Sequence, residues 1–214
     1  METQYAQVPE DKRDRILEAT ISEFANKGFD GASTNSITRE AGISKGLLFH
    51  YFGNKKNLYL NTVDYCVNYF MEYMMDHTGE YNPDILDRAL EWTILKLRMF
   101  TQHPLMYKLV FSAFLDVPKG LEEDIQQRYL DIFNQGMGML TQDIDTARFR
   151  ADIDQTKAIE VLMVALEGLG ERYQELLKHE DDRGLGKLDA IIEDFREYVD
   201  ILRYGLYRQP DDVT

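Results

Sequence analysis

The sequence predicts an all-α protein, and three observations lead to that prediction. Apolar residues recur at helical spacing, as Leu17, Ile21 and Phe24 do near the N-terminus. Nowhere does a run of Val, Ile and Thr alternate with polar residues, and no Asn-Gly or Asp-Gly pair marks a hairpin. The 214 residues include only five prolines, so long stretches are free to form uninterrupted helices.

Start and stop signals divide the chain into about nine helices joined by short connections. Gly28 ends the first helix, whereas Ser44, Asn54 and Asp154 each cap the start of another. Three prolines open further helices, because proline suits the first turn. The predicted helices cover approximately residues 11–27, 34–41, 45–51, 55–76, 83–101, 104–115, 118–140, 155–178 and 187–207.

Residues 41–44, Ala-Gly-Ile-Ser, join two short helices in a helix-turn-helix. Gly42 permits the sharp turn, and Leu48 buries its inner corner. With Leu48 inward, Gly46 and His50 fall on the opposite face, since successive residues are about 100° apart. In helix-turn-helix proteins the second helix points its N-terminal end at base edges, so this helix is a candidate recognition helix.

Composition excludes several classes of protein. Cys66 is the only cysteine, so no intramolecular disulfide can form, and its mid-helix position predicts a buried, inert thiol. No apolar run approaches the roughly 20 residues that span a bilayer, and the first residues lack a secretory signal, so we expect a cytoplasmic location. Without a zinc motif, a phosphate-binding glycine loop or a nucleophile elbow, we expect no enzyme, metal or cofactor.

Charge is distributed unevenly along the chain. The whole chain carries a formal charge of −14, which by itself disfavours a nucleic-acid partner. Residues 1–58 are neutral overall, however, and residues 33–58 carry +3, so the negative charge belongs to residues 59–214. The helix-turn-helix is therefore a small positive region on an acidic protein.

A further pattern extends over residues 12–60 and consists of Gly28, Phe29, Ala32, Ser33, Thr34, Ile37, Ala41 to Phe52, Asn54 and Lys55. These residues resemble the DNA-binding signature of the TetR family. The resemblance implies a homodimeric transcriptional regulator, usually a repressor that a small-molecule ligand releases from a palindromic operator. It also implies a helix-turn-helix DNA-binding domain over residues 1–55 and a helical regulatory and dimerisation domain over residues 56–214.

The resemblance assigns DNA contacts to the matching positions. Ser33 and Thr34, at a helix start, would bind a phosphate, and His50 a phosphate or a base. Leu47 and Phe49 depart from the family, which usually has a small or hydroxyl residue and a tyrosine there. These departures bear on the operator sequence rather than on the mode of binding. The predicted DNA-binding residues are Ser33, Thr34, Ser44, Lys45, Gly46, Leu47, Phe49, His50, Tyr51 and Lys55.

The last two long helices each carry an apolar stripe. Such a stripe fits a dimer interface or an intramolecular core, and periodicity does not distinguish the two. The resemblance implies a dimeric four-helix bundle, and two-fold symmetry suits a palindromic operator. The predicted interface residues are Val161, Leu162, Ala165, Leu169, Ile191, Phe195, Val199 and Leu202.

The middle helices are rich in aromatic residues and methionine, which suit either a core or a pocket for an apolar or amphipathic ligand. A carboxylate among them, Glu167, would neutralise a cationic ligand. An architectural DNA-binding protein without an inducer, or a ligand-binding or enzymatic helical protein with a vestigial helix-turn-helix, remain alternatives. The predicted pocket residues are Trp92, Met99, Phe100, Tyr107, Phe111, Phe133, Met137, Met163 and Glu167.

Overall fold

The structure is a computed structural model that describes residues 4–78, 82–178 and 185–207, with the backbone alone for 174–178 and 185–188. This part of the chain forms nine α-helices and no β-strand, which confirms the all-α prediction. None of these helices combines the length and the apolar character needed to cross a membrane. The helices are α1 Glu10–Gly31, α2 Thr34–Ala41, α3 Lys45–Phe52, α4 Lys55–His77, α5 Ile85–Gln102, α6 Pro104–Leu115, α7 Glu122–Thr141, α8 Gln155–Lys178 and α9 Leu185–Leu206.

Most predicted helix boundaries agree with the structure within a few residues; the start of α7 and the end of α1 show the clearest differences. The prediction that α7 starts at Pro118 is wrong, because Gly120 has φ +81° and the helix begins only at Glu122. The range of α1 extends past Gly28, but Gly28 interrupts it with φ 66° and ψ −179°. The predicted stop is therefore real, and a short helical turn follows it.

Packing divides the chain into two compact units. The first unit comprises residues 1–73 and 103–133, and the second comprises residues 74–102 and 134–214. The helices α4 and α7 are continuous and contribute residues to both units. A division into packing units assigns no function, so a DNA-binding domain that ends at residue 55 stays a prediction.

The core of the first unit brings α1, α2, α3 and α4 together around side chains without solvent exposure, among them Phe24, Leu48 and Phe52. The guanidinium of Arg128 on α7 donates to both carboxylate oxygens of Asp64 on α4, at 2.6 and 2.9 Å. Such a bidentate pair holds both helices in one relative position.

A 3₁₀ turn that the sequence did not predict, Gln4–Gln7, inserts Tyr5 into this core. The Tyr5 ring lies 4.8 Å from the ring of Phe52 on α3. Its hydroxyl hydrogen-bonds to Thr20 Oγ1 on α1 at 2.8 Å and to Thr62 Oγ1 on α4 at 2.9 Å. Tyr5 therefore joins three helices of the unit at one point.

The second unit contains a buried carboxylate, Asp84, at the start of α5. Its Oδ1 accepts from the Leu86 amide and from the Tyr207 hydroxyl, and its Oδ2 accepts from Arg148 and Arg203. Burial opposes ionisation of Asp84, but these hydrogen bonds outweigh it and lower its pKa. The carboxylate thus ties the C-terminal end of α9 to the start of α5.

Candidate nucleic-acid interface

Helix α2 is held at its start by two hydrogen bonds. The hydroxyl of Ser33 accepts from the Ser36 amide at 3.4 Å and caps the helix. The Ser33 amide donates to Glu23 on α1 at 2.8 Å, and Lys27 also donates to this carboxylate. Burial opposes ionisation of Glu23, but these hydrogen bonds outweigh it and lower its pKa. Ionised Glu23 therefore anchors α2 on α1.

The turn between α2 and α3 depends on a glycine. Gly42 lies in the left-handed region at φ 64° and ψ 37°, where other residues are strained. Its amide donates to Arg39 O, and the Ile43 amide donates to Thr38 O at 3.0 Å. The Ser44 hydroxyl then caps α3 by accepting from the Leu47 amide at 3.2 Å. These bonds confirm the helix-turn-helix predicted from residues 41–44.

Helix α3 has one buried and one exposed face, as predicted. Leu48 and Phe52 point into the core and have no exposed surface. Of the predicted DNA-binding residues on and next to the helix, Ser44, Lys45, Gly46 and His50 are exposed, while Leu47, Phe49 and Tyr51 are half-buried. Seven of the ten predicted DNA-binding residues therefore lie on or beside the solvent side of one helix.

No steric contact within the protein requires a glycine at position 46. A Cβ built at this position meets nothing within 4 Å, so the fold itself leaves room for a larger residue. Glycine costs about 1 kcal/mol in a helix interior relative to alanine. A close approach of another molecule to the backbone would explain why this position nevertheless holds glycine.

Aromatic and basic side chains lie side by side on the exposed face of α3. Lys45 Nζ lies 5.7 Å from the centroid of the Phe49 ring. One residue further on, the rings of His50 and Tyr51 meet edge-on with centroids 5.3 Å apart. Phe49 is thus half-buried beside a lysine rather than enclosed by the core.

Two predicted cations of this region are engaged within the protein. Lys55, at the start of α4, donates to the carbonyl of Asp30 at 3.1 Å and lies over the Phe29 ring. Lys56 forms an ion pair with Asp124 at 2.7 Å. These contacts link α4 to the end of α1 and to α7, and they reduce the charge that Lys55 and Lys56 present to a partner.

A cation that the sequence did not single out lies beside the turn. An Nη of Arg15 on α1 comes within 3.2 Å of the place where a Cβ of Gly42 would stand. Arg15 is exposed and also donates to the carbonyl of Asp11. No sequence signal identifies Arg15, because its position depends on how α1 crosses α2.

The predicted pocket residues are divided between the units. The first unit contains Tyr107, Phe111 and Phe133, and the rings of Tyr107 and Phe111 stack with centroids 6.0 Å apart. Phe133 is exposed and stacks on Tyr129. In the second unit Trp92 and Met99 are buried, Phe100, Met137 and Met163 are half-buried, and Glu167 is exposed.

The predicted interface residues do not all face outward. Leu162, Ile191, Phe195 and Val199 are buried in the core of the second unit itself, so their stripes fit the intramolecular alternative. Ala165, Leu169 and Leu202 are half-buried, and Val161 is 53% exposed. Further apolar side chains that the prediction omitted are exposed on the same two helices: Val164 (71%), Ile201 (66%) and Tyr204 (72%).

Comparison with known proteins identifies the helix-turn-helix region. Residues 16–62 match the family described as "Bacterial regulatory proteins, tetR family". The chain is 32% identical over 79 residues to the biofilm operon icaADBC HTH-type negative transcriptional regulator IcaR of Staphylococcus epidermidis, covering 36% of this chain and 43% of that protein. It is 30% identical over 73 residues to the IcaR of Staphylococcus aureus strain Newman, covering 34% and 39%. The chain thus aligns with less than half the length of these curated relatives.

Solved structures resemble nearly the whole fold. A TetR family transcriptional regulator from Chloroflexus aurantiacus superposes with a TM-score of 0.67 at 23% identity, covering 96% of this chain and 97% of that one. The fatty acid degradation regulator FadR from Bacillus halodurans gives a TM-score of 0.67 at 15% identity, covering 88% and 97%. At these identities the likeness concerns the fold. The two curated relatives are both negative transcriptional regulators, which agrees with the prediction of a non-enzymatic protein.

Proposed function

We propose that the chain is a TetR-family regulator, specifically a homodimeric transcriptional repressor that a small-molecule ligand releases from a palindromic operator, since residues 16–62 match that family. One observation carries the proposal. The exposed face of α3 groups Ser44, Lys45 and His50 around a glycine for which the fold itself has no need. Such a surface fits a recognition helix that approaches the major groove closely.

The contacts divide into two kinds under this proposal. Ser33, Thr34, Ser44, Lys45 and Tyr51 hold the DNA backbone, because hydroxyls, ammonium groups and helix-terminal amides bind phosphates. Gly46, Leu47, Phe49 and His50 face the base edges, where Leu47 reaches a thymine methyl. Lys55 acts mainly by fixing α4 to α1. The cations available for phosphates are few, so specificity depends strongly on the geometry of the dimer.

The dimer surface in this proposal is the exposed apolar face of α8 and α9. Val161 and Val164 lie on α8, and Ile201 and Tyr204 lie on α9. Several exposed apolar side chains grouped on two neighbouring helices are typical of an interface, whereas a single one is not. Two copies would then present two recognition helices to half-sites about 34–36 Å apart.

In this proposal, the ligand releases the protein from DNA by shifting the population between two conformations of the dimer. Ligand bound in the regulatory part would favour a dimer whose recognition helices no longer match the half-sites. Helix α4 supplies a continuous connection, since it contributes residues to both compact units.

DNA binding is tested by fluorescence anisotropy with the DNA upstream of the protein's own gene. We expect Lys45→Ala to weaken binding to all sequences alike and to reduce the salt-dependence slope by about 1. Lys157→Ala, which removes an exposed lysine on α8, is the matched control and should change neither quantity. Absence of binding by the unmodified protein at low salt would refute the proposal.

Dimerisation is tested by sedimentation. Ile201→Arg places a charge in the proposed interface and should yield monomers, because an unpaired charge is costly to bury. Leu115→Arg, at an equally exposed apolar residue of α6, serves as the control and should leave the dimer intact. A dimer that survives Ile201→Arg contradicts this choice of surface.

A further inference from the structure

A lysine lies in the middle of the buried face of α5. At about 100° per residue, Lys96 falls within roughly 60° of Ala89, Trp92 and Met99, which are all buried. Arg98, which is exposed, lies about 160° away around the helix. Lys96 therefore belongs by position to the core side of the helix rather than to its solvent side.

Lys96 is nevertheless exposed, in the same class as Arg98. Burial lowers the pKa of its ammonium group, while the carboxylate of Glu167 on α8 acts in the opposite direction. A side chain facing bulk water would not be desolvated in this way. Both observations agree if the exposed surface of Lys96 borders an internal cavity of the second unit, enclosed by protein on most sides.

A second donor lies one turn away on the same face. Trp92 is only 9% exposed, and its Nε1 has no hydrogen-bond acceptor among the residues that the structure describes. Buried indole N–H groups usually have a partner, because an unpaired one costs free energy. Lys96 likewise makes no hydrogen bond or ion pair within the described ranges of the chain. Two donors without acceptors thus lie about one helical turn apart.

The surroundings of these donors are apolar. Leu95 and Met99 on α5 are buried, and Met163 on α8 is half-buried. A Cβ added at Gly136 on α7 would lie 3.7 Å from the Trp92 ring, so α7 passes directly beside the indole. Apolar walls with a few convergent polar groups are typical of small-molecule sites.

We propose that Lys96 and Trp92 line a cavity in the second unit that binds an organic carboxylate with an apolar body. The inference rests on the proposed ligand-responsive function and names the chemical class of that ligand. A carboxylate only accepts hydrogen bonds, so it suits a site that offers a cation and an unpaired N–H donor. Glu167 alone would attract a cationic ligand, but its negative charge already interacts with the ammonium group of Lys96.

The only tryptophan of the chain reports on this site directly, because Trp92 is that residue. The emission of Trp92 is followed while octanoate, decanoate or dodecanoate is added below its micellar concentration. Decanol and decylamine provide a neutral and a cationic probe of equal length. We expect a saturable change with at least one carboxylate and weaker binding of the matched alcohol and amine.

Substitutions at Lys96 test whether its positive charge is responsible for carboxylate binding. Lys96→Met should weaken carboxylate binding about ten-fold or more and leave decanol binding unchanged, because a charge-assisted hydrogen bond is lost. Lys96→Arg should retain the preference for the carboxylate. Arg98→Gln removes a charge from the exposed side of the same helix and is the matched control. Circular dichroism should show Lys96→Met folded, since methionine relieves the desolvation of the ammonium group.

Three results would overturn the inference: no saturable change with any of the carboxylates, equal or tighter binding of the alcohol or amine, or unchanged carboxylate binding by Lys96→Met. These measurements need no DNA. Carboxylate binding without release from DNA would therefore leave the inference standing and refute ligand release. Release from DNA by a ligand whose binding does not depend on Lys96 would support ligand release and count against the inference.

Discussion

Replacing Gly46 by alanine should raise stability and lower DNA affinity at the same time. A Cβ at Gly46 meets nothing within 4 Å, so the methyl group fits the protein without strain. Alanine is better than glycine in a helix interior by about 1 kcal/mol, and less near a helix start, so we expect a gain of about 0.5–1 kcal/mol. For a chain of this size the melting temperature should rise by about 1–4 °C.

The same methyl group should interfere with DNA. If the backbone at Gly46 closely approaches the groove, an added carbon forces a separation that costs about 1–3 kcal/mol, or about ten-fold or more in affinity. Thermal unfolding followed by circular dichroism measures the first effect, and fluorescence anisotropy with the upstream DNA measures the second.

Gly138→Ala provides the matched control for both measurements. A Cβ at Gly138, within α7, also meets nothing within 4 Å. We expect the same direction of change in stability and no change in DNA binding. Unchanged affinity of Gly46→Ala would refute the close approach of α3 to DNA, and a lower melting temperature would refute the packing argument.

Three further predictions concern the buried polar groups. Tyr5→Phe removes the hydroxyl that bonds Thr20 and Thr62, and should lower the free energy of unfolding by about 1–3 kcal/mol in urea titrations; an unchanged value would show that the hydroxyl bonds add nothing. Asp84→Asn should cost about 2–3 kcal/mol at neutral pH, since partly exposed arginines lose their charged partner. Because the pKa of Asp84 is lowered in the folded state, its contribution to the free energy of unfolding is complete above the unfolded-state pKa and is lost as pH falls through the folded-state pKa. The difference in that free energy between Asp84→Asn and the unmodified protein should therefore shrink below about pH 4. A difference that stays constant with pH would contradict this. Burial raises the pKa of the Cys66 thiol to about 12, so a thiol reagent should react with the folded protein far more slowly than with the protein in urea; equal rates would contradict its burial.

Local sequence signals were sufficient for the helices and for the helix-turn-helix. Ser33, Ser44 and Asn54 cap the helices that follow them, and Gly42 adopts the left-handed conformation that its turn needs. These features depend on residues within four positions of one another, so they can be identified from the order of residues alone. The start of α7 was misplaced, because proline permits a helix start without requiring one.

The apolar stripes of α8 and α9 show where local signals become insufficient. A helical period groups Leu162 with its neighbours, but it does not tell whether that face meets the same chain or a second copy. The tertiary structure shows which side chains belong to the intramolecular core: Leu162 and Phe195 are buried within the second unit, whereas Val164 and Ile201 are exposed.

By itself, the sequence determined the all-α class, the positions of most helices, the helix-turn-helix and the positive region around it. Only the tertiary structure decided which side chains those helices leave available. Packing places Lys55 in contact with α1, brings Arg15 to the turn, and leaves Lys96 exposed on the same side of α5 as the buried Trp92 and Met99. The physical reason is that helix formation is governed by neighbours in sequence, whereas burial and charge pairing depend on residues far apart in the chain that packing brings together.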